Sequence, residues 1–397
     1  SSSGRNPAKA LLREEAMAYF DNAATTYPKP ECVYHEMDNF YRSHGGSAGR
    51  GTHEGAKSAG MLIAETRDRL KSLFHAPNHE VIFTPTATLA LNMIIQGMII
   101  AGARNIYISP FEHNAVTRVL HALAKEYTLS VHQLKVRDDL AYDMERIRYQ
   151  FDEQAPDFVI VSHASNVIGL IAPAPDIFSL AKKYQACTLL DMSQTAGLVD
   201  IDIQRSDCDF AVFAGHKTLY GPTGISGFLM KPEISLQPVL FGGTGVASAE
   251  QDMPQDLPAR YEMGTMNISG IAGLHAALGW LLETGIDNIR KREHANRQQL
   301  LEILEGYDFL QLVGVNPERE YIGVVSALID GISSDSAGPL FDEHDIAIRT
   351  GLQCAPLAHK FLGTFPAGTL RFSVSYFTTE RDFEALKSVL DEIEEDI

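Results

Sequence analysis

Residues 210–230 read FAVFAGHKTLYGPTGISGFLM: one apolar run delivers His216 and Lys217 into a glycine-rich loop, and a second, ISGFLM from 225, follows. Runs of this length bounded by glycine and proline read as strands buried on both faces. Four more precede them: VIF at 81, NIYIS at 105, FVIVS at 158 and CTLLD at 187. Between these runs apolar residues recur at helical spacing, as in Ala59, Leu62, Ile63, Leu70 and Leu73, and again in Val116, Val119, Leu120 and Leu123. Alternation of buried strands with amphipathic helices predicts an α/β domain around a mostly parallel sheet.

From about Gly270 the pattern changes. Helical stretches over 274–284 and 288–306 come before strand candidates at 321–329 and 369–374. Phe383, Leu386, Leu390, Ile393 and Ile397 then form one apolar stripe, with charged residues on the other faces. This predicts a smaller α+β domain. The expected borders are a large domain over 32–270 and a small one made of 17–31 and 271–397. Residues 1–16, SSSGRNPAKALLREEA, have no apolar core of a signal peptide and read as a frayed arm or an expression remnant.

Composition narrows the function classes. With 33 basic and 51 acidic residues among 397, the net charge of −18 repels nucleic acid and anionic membranes. The longest apolar stretch, Met93 to Ala101, is interrupted by Gln96 and Gly97 and is far shorter than the roughly 18 residues a membrane helix needs. Cys32, Cys187, Cys208 and Cys354 are scattered with no CxxC pair, which argues against a disulfide framework or a structural zinc site and predicts no metal centre. These features together predict a soluble, cytoplasmic chain.

The candidate chemistry lies where strands end. A lysine partly removed from water has a lowered pKa and can form a Schiff base, so Lys217, between a buried run and a glycine-rich turn, is the leading candidate. Asp191 closes CTLLD, and Gln194 follows three residues later. In VIFTPTATLALNMII from 81, Thr84, Thr86 and Thr88 precede an apolar helix, where hydroxyls and free N–H groups suit a phosphate; simple N-capping is the plainer reading. His113 in SPFEHNA and Asn166 in SHASNVIG mark two further strand ends. Near the C-terminus, IRTGLQCAP places Cys354 in a loop, and TLRFSV places Arg371 on a strand, where a guanidinium suits a carboxylate. No GxGxxG follows a strand, which excludes a dinucleotide-binding Rossmann domain.

The chain carries, in order, YFDNAATT at 19, RGTHEGA at 50, EHNA at 112, SNVIG at 165, DMSQ at 191, FAGHK at 213, EMGTMN at 262, RTGLQCAP at 349 and FTTERDFEAL at 377. In this order, the motifs resemble the class V aminotransferase family of fold-type I pyridoxal 5'-phosphate (PLP) enzymes, and within it the cysteine desulfurases and selenocysteine lyases. The short RTGLQCAP loop is similar to that of the group II desulfurases. The resemblance implies a large domain with a seven-stranded, mostly parallel sheet and a smaller α+β C-terminal domain. It implies that Lys217 carries the cofactor as a Schiff base, Asp191 pairs with the pyridine nitrogen, Gln194 contacts the phenolic oxygen and His113 stacks on the ring. Ala87, Thr88 and His216 would hold the phosphate, and Thr265 would reach the phosphate of a partner subunit in a homodimer. Asn166 and Arg371 would take the carboxylate of L-cysteine, which is converted to L-alanine while Cys354 accepts the sulfur as a persulfide and passes it to an acceptor protein. Selenocysteine lyase, or another class V aminotransferase or β-lyase, stands as the alternative. The chain departs from the family pattern at Ala214, where many relatives carry serine, at the extra Thr218, and at Gln353 beside the cysteine.

Overall fold

The structure, a computed structural model, describes residues 17–44, 53–246 and 248–396. The expected arm 1–16, the start of RGTHEGA at 50–52 and Ile397 of the C-terminal stripe lie outside the described residues. A seven-stranded sheet runs in the spatial order Glu80–Thr84, Ser226–Met230, Phe210–Ala214, Cys187–Asp191, Phe158–Ser162, Asn105–Ile108 and Ser130–Gln133. Ser226–Met230 is antiparallel to both neighbours, and the other pairs are parallel. Side chains alternate across it: Ile82, Ile106, Ile160, Leu189 and Val212 enter one core, whereas Val81, Tyr107, Val159, Leu190 and Phe213 enter the other. Helices cover both faces, so the strands have no polar side and read as unbroken apolar runs. Ser130–Gln133 was not foreseen: this edge strand alternates half-buried and exposed positions and carries a single apolar residue, Val131.

The helix Ile268–Thr284 packs across Glu31–His44 and Glu54–Leu73, so the border expected at 270/271 falls inside a continuous helix. Gly285, at φ 83°, ends it, and the next helix, Ile286–Leu304, lies against a four-stranded antiparallel sheet. That sheet has the order Arg349–Gly351, Thr369–Ser373, Val324–Ile329 and Leu310–Val313. Its outer strands escape the sequence reading because they lie at the sheet edges, partly open to solvent, and carry no continuous apolar run. The stripe Phe383, Leu386, Leu390 and Ile393 packs with Phe20, Leu304, Phe341 and Phe372 into a third core. Near the N-terminus, Ala18–Tyr19 pairs with Ile346–Ala347, and Asp21 bridges to Ser373, which pins residues 18–21 to the C-terminal sheet. Among the described residues no helix is long and apolar enough to cross a membrane.

Candidate active site

The carboxyl ends of the parallel strands converge on a cavity of about 200 Å³, the crevice where open α/β sheets take their ligands. Ala87, Thr88, His113, Asn166, Asp191, Gln194, His216 and Lys217 all line it, brought together from five separate chain segments. Register explains part of this. Asp191 is the last residue of its strand, opposite Ser162 on one side and Val212 on the other, so it reaches the rim beside the turn that carries Lys217.

The Lys217 turn depends on a close backbone approach. A Cβ on Gly215 would meet the Ile225 carbonyl oxygen at 2.2 Å, so only glycine lets the strand end fold back onto its neighbour. Tyr220, at φ 57°, closes the turn, and its N–H donates to the Lys217 carbonyl at 2.8 Å. Burial lowers the Lys217 ammonium to about 8; Asp191 opposes this shift and the Arg371 guanidinium adds to it. The carbonyl of His216 collects the Lys29 ammonium at 2.6 Å and the hydroxyls of Thr25 and Thr26, which leaves the imidazole free. His216 Nδ1 is buried without a partner, and burial, with Lys217 and Lys29 nearby, lowers the ring to about 4.

The other wall is built from helix starts. Thr86 caps the helix Ala87–Ile100 and its Oγ1 accepts from Leu89 N–H at 3.1 Å, so N-capping at this turn falls to Thr86. The Ala87 and Thr88 amides have no intrahelical acceptor and remain available to an anion. His113 caps Asn114–Leu123, with Nδ1 accepting from Ala115 N–H at 3.0 Å. A neutral His113 therefore carries its proton on Nε2. Its pKa is lowered by burial, then by Lys217. Asp191 Oδ1 accepts from Ser193 N–H at 2.9 Å and from Ser193 Oγ at 2.5 Å, and Gln194 Nε2 donates to Ala23 O at 2.9 Å.

Arg371 and Cys354 stand beside this cavity rather than lining it. Arg371 is 3% exposed on the strand Thr369–Ser373; it donates to Asn166 O and to Asp21 Oδ1, each at 3.0 Å, and its buried Nε has no partner. Asp21 Oδ2 also pairs with Arg349 at 3.0 Å, so a single carboxylate holds two arginines. Cys354 is exposed on the turn between Arg349–Gly351 and the helix Pro356–Leu362, and its carbonyl accepts from Asn114 N–H at 2.7 Å. Asn166 Nδ2 donates to Gln353 O at 2.7 Å. The cysteine loop is thus tied directly to the His113 and Asn166 segments.

Sequence reading missed four groups that support this arrangement. Asp21 and Ser193 sit inside quoted motifs, yet their partners are remote or local in ways no spacing discloses. Glu112 is fully buried, accepts from Ser109 Oγ, Ser162 N–H and Ser162 Oγ, and is pushed up to about 7 by burial. Gln353, noted only as a departure, is structural: Nε2 donates to Thr369 O at 2.9 Å and Oε1 accepts from His359 Nε2 at 2.8 Å. Since Gln353 (φ 42°) and Cys354 (φ 56°) both occupy the left-handed region, these bonds offset a backbone conformation unfavourable for such residues. Gln353→Ala is expected to lower stability by about 1–3 kcal/mol, read by denaturant unfolding, because His359 and Thr369 lose a buried partner.

Thr265 is exposed and lines a separate cavity of about 270 Å³ with Phe83, Thr84 and Asn267. Its segment is anchored by Glu262, which holds Arg67 through two bonds of 2.8 Å and accepts from Phe83 N–H at 2.8 Å. Within one chain, therefore, Thr265 does not join the Lys217 cavity. Among the described residues no group of three or more His, Cys, Asp or Glu is placed to hold a metal ion.

A doubly wound sheet with a lysine at one strand end and an aspartate at the next defines a fold-type I PLP enzyme. The family model "Aminotransferase class-V" matches residues 18–386, and the chain belongs to that family. A probable cysteine desulfurase of Halalkalibacterium halodurans is 31% identical over 391 residues, covering 96% of this chain and 93% of that protein. One from Xylella fastidiosa is 30% identical, covering 94% and 90%. Among solved structures, the apo cysteine desulfurase of Thermococcus onnurineus NA1 superposes with a TM-score of 0.88 at 27% identity over the whole of both chains. The Escherichia coli cysteine desulfurase CsdA, in an S-sulfonic acid form, gives 0.85 at 26% identity, again over the whole of both chains.

The cavity fits the family's cofactor. A lysine amine lowered to about 8, a carboxylate at the neighbouring strand end, a helix start and an unpartnered buried His216 Nδ1 match the aldehyde, ring nitrogen and phosphate of PLP.

Proposed function

We propose that the protein is an L-cysteine desulfurase that converts L-cysteine to L-alanine and leaves a persulfide on Cys354. The observation that carries this reading is the cysteine loop, whose backbone is hydrogen-bonded to both Asn114 and Asn166 at the edge of the Lys217 cavity. Lys217 would hold PLP, with Asp191 at its ring nitrogen, Gln194 at its phenolic oxygen, His113 over its face, and Ala87, Thr88 and His216 around its phosphate. Bound there, PLP supplies the electron sink that weakens bonds at the substrate's Cα and Cβ.

Arg371 and Asn166 orient the substrate carboxylate. The free Nε of Arg371 supports this role, because Nη1 and Nη2 are already engaged by Asn166 and Asp21. Cys354 Sγ, as thiolate, forms an S–S bond to the substrate sulfur as the substrate Cβ–S bond breaks. The electron pair stays with the substrate carbon, which takes up a proton and leaves as alanine. Lys217 Nζ and His113 Nε2 are the proton carriers at that carbon and at the thiol. Exposure of Cys354 suits onward delivery of the sulfur to an acceptor protein.

Thr265, outside its own cavity and rigidly anchored through Glu262, would complete the phosphate site of a second copy in a homodimer. We place the border between the large and small units at Gly285, between the two long helices. Four free cysteines accord with a cytoplasmic enzyme. The reading is tested by product analysis: purified holoenzyme with L-cysteine and a reductant yields alanine and sulfide in equal amounts. Formation of keto acid in place of alanine overturns it.

The lysine can be probed without turnover. In cofactor-free protein, reductive methylation of Lys217 is expected to rise about tenfold per pH unit and level off near 8, where the amine is half neutral. An ordinary lysine goes on rising to about 10.5. Site-resolved mass spectrometry reads the difference.

A further inference from the structure

Away from the Lys217 cavity, a larger hollow of about 560 Å³ opens between Leu198–Val199, the helix Ile286–Leu304 and the segment 315–323. Its volume is in the range of small-molecule sites. Arg297 projects into it from the helix and is 6% exposed. Two of its donors, Nε and Nη2, are buried with no partner. Among the described residues no carboxylate oxygen lies within 4.0 Å of its guanidinium. Among the described residues the charge is compensated by the face of Tyr321, whose centroid is 4.4 Å from Cζ.

Such an arrangement is costly unless something completes it. An arginine remains protonated in proteins, and a buried unpaired charge is strongly unfavourable. Glu293, one turn earlier on the same helix, forms no ion pair with it: Oε1 accepts from Gly323 N–H at 2.9 Å, and burial pushes its carboxyl up to about 7, so that it is only partly ionised at neutral pH. In its protonated form Glu293 even offers a donor to an anion. At the rim Arg290 and Arg319 already have carboxylate partners in Glu320 and Asp139, at 2.8 and 3.1 Å. The uncompensated positive charge is therefore confined to Arg297. A planar guanidinium is the fork that meets two oxygens of one carboxylate or phosphate. Leu198, Leu301 and Ile322 supply apolar walls for the rest of such a molecule.

We propose that this hollow is a second ligand site, which binds a small organic oxyanion, carboxylate or phosphate, through the guanidinium of Arg297. The ligand would touch Leu198 and Val199, which follow the Asp191–Gln194 turn, and the helix carrying Arg297 at once.

Calorimetric titration of the PLP-loaded enzyme with inorganic phosphate, and in a separate arm with acetate, tests this and separates the two chemistries. The cofactor already occupies the phosphate position of the Lys217 cavity. One site per chain is expected for at least one probe, weakened roughly tenfold or more by Arg297→Gln, with visible absorbance and cysteine turnover unchanged. Val315→Trp, which fills the hollow and leaves the arginine in place, is expected to weaken binding as well and serves if Arg297→Gln does not fold. Three outcomes overturn the proposal: neither anion binds, binding is unchanged in the variants, or it survives Arg297→Gln and disappears in Arg371→Gln.

Discussion

Lys217→Ala is expected to yield a protein that folds, gives no visible absorbance with PLP and releases alanine from cysteine at least about 10³-fold more slowly. The size of the effect follows from two roles in one side chain. Among the described residues Lys217 is the one lysine that lines the cavity, so the variant lacks the amine that would hold the cofactor covalently. It also removes a proton carrier whose pKa, lowered to about 8, is close to the working pH. Folding should survive, because the turn is held at the Lys217 carbonyl by the Tyr220 N–H and the Thr26 hydroxyl, and alanine retains that carbonyl. Loss of absorbance together with loss of structure by circular dichroism would give the lysine a structural role instead.

The second large effect is expected from Cys354→Ala. Alanine release from L-cysteine in the presence of a reductant should fall by about 10²-fold or more, while cofactor absorbance stays that of the parent. Cys354 side-chain loss leaves the loop intact, since the carbonyl at 354 accepts from Asn114 and the loop's other ties run through Gln353. Assaying the variant on L-selenocysteine separates the two readings of the site: a selenolate leaves more readily than a thiolate, so that substrate should be turned over without the sulfur acceptor. Full alanine release from L-cysteine by the variant would remove the persulfide from the mechanism.

Much of the large domain was legible along the chain. The runs at 105, 158, 187, 210 and 225 each became a strand, because strands covered by helices on both faces need no polar alternation and leave continuous apolar text. Ser130–Gln133, Leu310–Val313 and Arg349–Gly351 left no such text: they are short edge strands, chosen by neighbours that already present a free row of hydrogen-bonding groups. Gln353 shows the same division within the site. As a residue it reads as a spelling change beside the cysteine, and only the fold places His359 and Thr369 where they turn it into a brace.

By itself, the chain determined which residues end the buried strands, and so which side chains reach the rim: Asp191, Lys217, and the turns at His113 and Asn166. These are local consequences of apolar period and glycine placement. Tertiary structure alone decided which charges meet. Asp21 joins Arg371 across 350 residues, Asn166 holds the cysteine loop across 187, and Arg297 is left unpaired over a hollow that no stretch of sequence outlines. The physical reason is that burial and pairing of a charge depend on distance in space, and the spacing of residues in sequence carries that information only within a turn or a strand.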